Sequence, residues 1–393
     1  MTREVAIIGV GMHPWGKFPD KDASELGVYA AKEAIKDAGI KWTDIQAVAA
    51  GENKYGGDRG IVAGNMIVSE LGERGVPVAN LYNACATGAS VMREAYNTVV
   101  SGECDIVLAV SGDVSPGGFY APISAGPTDT YYIRFQVAGM TNPAYWAFDC
   151  VQRMEEYGTT ERHLAMAKVL CSKYGALNPN ARYRKQFTVE DVLNSPMVVY
   201  PLRLFEICAV SDGAAAAIIC SMDKARQLTK NPITVAGVGL GSPQYGDISS
   251  RIGVMSFPAK QEAPMVSESA SACKMAYERA GMGPEDMDLL ELPDNSSWHY
   301  LQYLETLGFC EPGGTERLID EGQTEIGGKI PTNMSGGFAS FGEAIAAQTL
   351  AGVCEVTWQL RGQSGQRQVE GAKAGIIQTY GAWGNSGTVI LKK

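Results

Sequence analysis

Short apolar runs closed by glycines alternate along this chain with amphipathic segments. Val5-Ala6-Ile7-Ile8-Gly9-Val10-Gly11 has the pattern of a buried strand, Ser24 to Ala38 that of an amphipathic helix stopped by Gly39, and Ile45 to Ala50 that of a second strand. The succession returns later: Thr234 to Leu240 echoes the first strand and Ser267 to Gly281 echoes the helix. Lys32, Ala34, Ala38, Gly39 and Asp44 match Lys274, Ala276, Ala280, Gly281 and Asp286 at a single offset of 242 residues. An unbroken register over that span predicts an internal duplication.

The pattern extends the repeat. Val76 to Leu81 reads as a strand and Ala89 to Val100 as a helix, with Val91, Met92, Ala95 and Val99 at helical spacing. The first half closes with Ser211-Asp212-Gly213 and the strand Ala214 to Cys220, the second with Gly384-Asn385-Ser386-Gly387 and Thr388 to Leu391. The second-half counterpart of the turn at residues 83–90 is Asn333 to Glu343, followed by a helical run from Ala344 to Val353. Two α/β units packed about a pseudo-two-fold axis are expected, with residues 1–118 and 202–228 as the first half, 119–201 as an insertion and 229–393 as the second half. Equivalent loops then face each other, which brings Glu343 close to Cys85 at two opposed helix N-termini.

Composition narrows the class. The chain has 393 residues, 45% of them hydrophobic and 19% charged, enough for two domains or one large one with a substantial core. A net charge of −10 and a pI near 5.0 argue against a nucleic-acid surface. Nine cysteines occur without CxxC or another paired metal spacing, so neither a zinc site nor a disulfide framework is encoded and a reducing cytoplasm is expected. Neither a signal peptide nor a membrane span is expected from the pattern.

Candidate chemistry begins at Asn83-Ala84-Cys85-Ala86-Thr87-Gly88-Ala89-Ser90, where small residues carry one thiol from a strand into a helix. Unpaired N–H groups and the positive end of the helix dipole lower the pKa of a thiol placed there, which makes it a nucleophile. Most of the nine cysteines belong in the core; this placement singles out Cys85. The insertion carries Phe119, Tyr120, Tyr131, Tyr132, Phe135, Tyr145, Trp146 and Phe148, then Arg182-Tyr183-Arg184-Lys185. Its aromatics suit either a lid over a bulky substrate or a small core with dimer contacts. Its basic cluster suits a ligand phosphate or a solvated loop.

Asn83-Ala84-Cys85-Ala86-Thr87-Gly88, Ser211-Asp212-Gly213-Ala214-Ala215-Ala216, Asn333-Met334-Ser335-Gly336-Gly337, Trp358-Gln359-Leu360-Arg361-Gly362 and the stretch Gly365 to Lys373 together resemble the sterol carrier protein type of thiolase, in order and over nearly the whole chain. The resemblance implies a five-layered α-β-α-β-α fold of two similar halves, a homodimeric core and coenzyme A thioesters as substrates. It implies that Ser335, Gly336, Gly381 and Gly384 line the CoA site with Arg184 as a phosphate contact, and that no metal is held by this chain. It also implies a small partner subunit with a zinc ribbon and an OB-like domain. In this family a cysteine attacks the 3-keto carbon of a 3-ketoacyl-CoA, the carbon–carbon bond breaks, and a second CoA collects the acyl group.

The sequence departs from the family where acid and base are needed. Phe341-Gly342-Glu343-Ala344 stands where a Gly-His-Pro block is usual, and Pro293-Asp294-Asn295-Ser296 where a His-Asp-Cys-Phe block is usual. The three histidines, His13, His163 and His299, match no family catalytic position. Glu343 is therefore expected as the base, with its pKa raised by burial and a proton shared with Cys85, and Asn295 as an oxyanion or orienting donor. His299 lies one helical turn beyond Asn295, pointing the same way or packed. Four readings follow: a variant thiolase for a bulky substrate such as benzoylsuccinyl-CoA, giving benzoyl-CoA and succinyl-CoA; a retro-aldolase on a hydroxyacyl-CoA; a condensing enzyme; and a non-catalytic acyl-CoA carrier.

Overall fold

The computed structural model describes residues 3–53, 56–115, 141–242, 267–381 and 384–393. In chain order the first half contributes β1 (Val5–Gly16), α1 (Ala23–Ala38), β2 (Ala47–Gly51), α2 (Gly57–Ile61), α3 (Ala63–Leu71), β3 (Val78–Leu81), α4 (Thr87–Val100) and β4 (Ile106–Asp113). The insertion follows with α5 (Asn142–Tyr157), α6 (Glu161–Leu177), α7 (Val189–Leu193) and the strand pair β5 (Met197–Val199) and β6 (Leu202–Arg203). Then come β7 (Asp212–Ser221), α8 (Met222–Leu228), β8 (Ile233–Gly241), α9 (Glu268–Ala280), β9 (Leu289–Glu291), α10 (Ser297–Thr306), α11 (Thr315–Asp320), α12 (Gln348–Arg361), β10 (Ala374–Gly381) and β11 (Asn385–Lys392).

Nine strands form one mixed sheet in the order β3-β2-β4-β7-β1-β8-β11-β10-β9. The duplication is visible in that order. On one side β2 pairs in parallel with β3 and β4, and β7 is antiparallel to β4 and β1. On the other, β9 pairs in parallel with β10 and, through a Leu290–Thr332 bridge, with the segment before Asn333, while β11 is antiparallel to β10 and β8. Among the described residues, the pairs Ala6–Thr234 and Ile7–Ile233 join the two sets, through β1 and β8.

Glycine and alanine set the spacing between layers. A Cβ on Gly9 or Gly11 would lie 2.4 or 2.3 Å from the carbonyl oxygens of Ala34 and Ala30 in α1. A Cβ on Gly237 or Gly239 would meet those of Ala276 and Ala272 in α9 at 2.3 and 2.0 Å. Ala34 and Ala30 occupy the same repeat positions as Ala276 and Ala272, so each half brings its outer helix onto its strand by one device. Asp22 and Glu25 form a capping box at the start of α1, Ser267 caps α9, and Gly39 and Gly281 end the two helices with φ of 65° and 61°.

Between the two sets of strands lie α4 and α12. Val91, Met92 and Val99 of α4 join Leu350 and Val353 of α12 in one core with inward side chains of both sets. With α1 and α9 outside, the order of layers is α-β-α-β-α. The described part of the insertion packs beneath the second half, where Trp146, Leu164 and Cys171 share a core with Tyr300, Leu301 and Ile376. Phe119, Tyr120, Tyr131, Tyr132 and Phe135 lie outside the described residues.

One element differs from expectation. The helical run read as starting at Ala344 begins at Gln348 and continues to Arg361. Residues Gly337–Phe341 form a single π-helical turn instead, and Glu343 is tied to the chain entering β7: its N–H donates to Ala209 O (2.9 Å) and its C=O accepts from Ser211 N–H (2.7 Å). The Ser211 bond takes the C=O that would accept the first bond of a helix starting at Ala344.

Candidate active site

Cys85 sits in a tight turn two residues before α4. Ala84 takes φ of 46°, a conformation disfavoured for a residue with a Cβ, and Thr87 holds it there. The Thr87 hydroxyl donates to Ala84 O (2.6 Å) and accepts from Asn83 N–H (2.8 Å). Asn83 Nδ2 donates to Ser90 Oγ (3.1 Å), and Gln348 Nε2, in the first turn of α12, donates to Cys85 O (3.1 Å). A Cβ on Gly381 would lie only 2.7 Å from Cys85 N, so the end of β10 runs directly against the turn.

Glu343 meets the thiol from the opposite half. Its side chain is 1% exposed, and Oε1 lies 4.0 Å from Cys85 Sγ. The same oxygen accepts from Asn295 Nδ2 (2.6 Å), while Oε2 accepts from the thiol of Cys208 (2.8 Å). Asn295 is buried just before α10, and its Oδ1 finds no partner among the described residues. The peptide C=O of Asn295 accepts from Cys208 N–H (3.0 Å), so both residues that hold Glu343 are paired through the backbone. Cys85 is partly exposed, whereas Glu343, Asn295 and Cys208 are buried, so the cluster opens to solvent on the side of Cys85.

Two further groups lie around the centre. Asp113, at the end of β4, accepts from Ala346 N–H (2.7 Å) and is pushed up to about 7 by burial and by the nearby charges of Asp212 and Glu343. Tyr380 stands at the end of β10, close enough to Cys85 for a thiolate there to push the phenol further up from a value already raised by burial. Its oxygen accepts from Trp146 Nε1 (3.2 Å) and lies 3.3 Å from His299 Nε2. Ser296 N–H donates to His299 Nδ1 (3.2 Å), which leaves the hydrogen on Nε2 and makes His299 a second donor to Tyr380. Burial lowers His299 to about 3, so it is a neutral, packed residue and not a base. With two donors on its oxygen, the Tyr380 hydroxyl directs its own hydrogen elsewhere.

The other sequence-predicted positions are dispersed. Ser335 turns inward: its amide and hydroxyl donate to the two oxygens of Glu291 at 2.9 and 2.6 Å. Gly336, at φ 107°, packs on Gly175 of α6, where a Cβ would come within 2.6 Å of its Cα. Gly384 begins the turn into β11 at φ 79°. Arg184 is exposed on the loop after α6. That loop is fastened to the π-helical turn before Glu343, because Arg182 and Tyr183 donate their N–H groups to Phe341 O and Ser340 O, each at 3.0 Å. Cys208, Asp113 and Tyr380 were not singled out from sequence. Cys208 precedes the Ser211-Asp212-Gly213 block by three residues, but no periodicity marks it as anything other than core.

Comparison with known proteins gives this geometry a family. The Thiolase, N-terminal domain matches residues 5–114 and the Thiolase C-terminal domain-like family matches residues 256–393. The chain is 34% identical to an acetyl-CoA acetyltransferase of Methanothermobacter thermautotrophicus, covering 99% of both chains. It is 31% identical to human sterol carrier protein 2 over 97% of this chain and 70% of that one. Identity to the benzoylsuccinyl-CoA thiolase subunit BbsB of Thauera aromatica is also 31%, over 94% of this chain and 92% of that one. Among solved structures, the Ltp2-ChsH2(DUF35) aldolase superposes with a TM-score of 0.81 at 25% identity, covering 99% of this chain and 97% of that one. The chain belongs to the thiolase family of acyltransferases, alongside the sterol carrier protein 2 relatives.

Proposed function

We propose that the chain cleaves a bulky 3-ketoacyl-CoA with free CoA, with Cys85 as nucleophile and Glu343 as base. The observation that carries this reading is the 4.0 Å approach of a buried carboxylate oxygen to a partly exposed thiol at a helix start. Glu343 takes the proton of Cys85 on Oε1, and the thiolate attacks the 3-keto carbon. Collapse of the tetrahedral alkoxide breaks the carbon–carbon bond, leaving an acyl group on sulfur and a thioester enolate. The enolate carbon takes the proton back from Glu343. CoA thiol then gives its proton to Glu343, attacks the acyl-cysteine, and releases acyl-CoA as Cys85 is reprotonated.

Asn295 acts through Glu343 in this scheme, one N–H of its amide orienting Oε1. The Tyr380 hydroxyl is left as a donor for a developing oxyanion. Gly381 gives a CoA thioester a close backbone approach, and Arg184 stands ready for a phosphate on a loop bonded to the turn before Glu343. Similarity to BbsB supports benzoylsuccinyl-CoA as the type of substrate, and the aromatic side chains of Trp146, His299 and Tyr380 beside the centre suit such an acyl group. A homodimer core and a small DUF35-like partner are part of the proposal, the latter from the Ltp2-ChsH2 complex.

The same complex favours a second reading, retro-aldol cleavage of a hydroxyacyl-CoA. Product analysis separates the two. Thiolysis of benzoylsuccinyl-CoA consumes CoA and yields two CoA thioesters, whereas retro-aldol cleavage of a hydroxyacyl-CoA consumes none and yields a free ketone or aldehyde.

A further inference from the structure

Glu343 can serve Cys85 only if the right oxygen faces the thiol and that oxygen is free to take a proton. A carboxylate on a flexible side chain fails in two ways: it rotates so that neither oxygen faces the nucleophile, or it is protonated on the far oxygen. Cys208 opposes both. Its Sγ lies 2.8 Å from Oε2, the oxygen away from Cys85, and an S–H donor there favours the charged carboxylate and fixes which oxygen faces away; Oε1, which accepts from Asn295 Nδ2, keeps a second lone pair for the proton of Cys85.

The thiol is itself held in place. Cys208 N–H donates to Asn295 O (3.0 Å), Ala209 N–H donates to Phe338 O (2.9 Å), and Ala209 O accepts from Glu343 N–H (2.9 Å). Three segments distant in sequence are thus stitched into one frame around the carboxylate. Burial separates the roles of the two sulfurs: Cys208 is 7% exposed and out of reach of a thioester, while Cys85 is partly exposed. Among the described residues the titratable groups near Glu343 include Cys85, 4.0 Å from Oε1, and Asp113, whose carboxyl feels the charges of Glu343, Asp212 and Lys17.

We infer that Cys208 is a positioning residue for Glu343: its S–H···Oε2 bond orients the carboxylate so that Oε1 faces Cys85 and exchanges protons with it. Cys208 keeps its own proton throughout, and the proton that moves is that of Cys85. This inference rests on Glu343 being the base.

The test is the rate of Cys85 alkylation by iodoacetamide between pH 5 and 10, read by peptide mass spectrometry, for wild type, Cys208→Ala, Cys208→Ser, Glu343→Gln and the Cys208→Ala/Glu343→Gln double variant. The expected result is a rate about ten-fold lower near neutral pH in Cys208→Ala, the size of one lost hydrogen bond to a charged group, with a raised pH midpoint. Cys208→Ser, which keeps a donor on Oε2, retains most of the wild-type rate, and the double variant is no slower than Glu343→Gln alone. Melting curves identify any variant that misfolds; if Cys208→Ala does, the serine variant and a Cys208→Val variant carry the comparison. A normal profile in folded Cys208→Ala or Cys208→Val overturns the proposal, as does a serine variant as impaired as alanine. A normal profile in Glu343→Gln removes the base on which it rests; a changed profile there with a normal Cys208→Ala removes the role of Cys208 alone.

Discussion

Cys85 and Glu343 are 258 residues apart in sequence, yet the thiol of one lies 4.0 Å from the carboxylate of the other. Each comes from the equivalent turn of its own half, and the crossing of α4 and α12 brings the two turns together. At Gly88 a Cβ would already lie 2.8 Å from the Thr349 side chain, so the helices meet with no atom to spare. Thiol and carboxylate are therefore held by the duplicated frame.

Glu343→Gln keeps the shape and one acceptor oxygen for Asn295 Nδ2, and its NH₂ can donate to the Cys208 sulfur, but the proton acceptor is gone. General-base catalysis is worth about 10²–10⁴ in rate. Steady-state thiolysis should show kcat/KM lowered by at least about 10², with a melting temperature close to that of wild type.

Gly381→Ala tests the close approach of β10 to the nucleophile. The added Cβ would stand 2.7 Å from Cys85 N and 3.1 Å from the Ala84 side chain, so the strained turn must shift. Overpacking of this kind costs about 1–3 kcal/mol. Activity is expected to fall further than that stability loss explains, measured by comparing turnover with the melting curve below the onset of unfolding.

Asp113 predicts a pH dependence of stability. Its folded-state value is about 7 against an ordinary 3.8, so between these values the folded chain holds a proton that the unfolded chain has released. The stability contributed by the protonated group is complete below about pH 4 and is lost as pH rises through about 7, an effect of a few kcal/mol at about 1.36 kcal/mol per unit. Asp113→Asn removes the titration. Its melting temperature relative to wild type should rise from pH 5 to pH 8; parallel curves would contradict the assignment.

Asp294 holds the π-helical turn that precedes Glu343. Its buried carboxylate accepts from Phe338 N–H (2.6 Å), Ala339 N–H (3.0 Å), Asn333 Nδ2 (2.9 Å) and the Cys171 thiol (3.3 Å). Asp294→Ala strands all four donors, at a cost of about 3 kcal/mol or more. Denaturant unfolding should show that loss, and activity should fall with it because the backbone leading to Glu343 is released.

Much of this was legible in the chain. Glycine-punctuated apolar runs marked β1, β2, β7, β8 and β11, and the offset of 242 residues marked the duplication, because Ala30 and Ala34 face β1 as Ala272 and Ala276 face β8. The place of Cys85 between β3 and α4 was legible because a run of small residues joins an apolar strand to a helix there. The start of α12 was not: whether 344–347 is helical depends on ladder bonds from Glu343 to Ala209 and Ser211, which local periodicity does not encode. Cys208 and Tyr380 were missed for the same reason. Their partners, Glu343, Trp146 and His299, come from distant segments, and a cysteine or tyrosine in an apolar stretch reads as core.

The central claim is that Cys85 carries the acyl group. The direct measurement is intact-protein mass spectrometry of wild type and Cys85→Ser after mixing with benzoylsuccinyl-CoA and a panel of other 3-ketoacyl-CoAs, with any co-purifying small subunit retained. The account predicts an acyl adduct on wild type, none on Cys85→Ser, and loss of the adduct as acyl-CoA once free CoA is added. A folded, complete complex that forms no adduct with any of these substrates would contradict it.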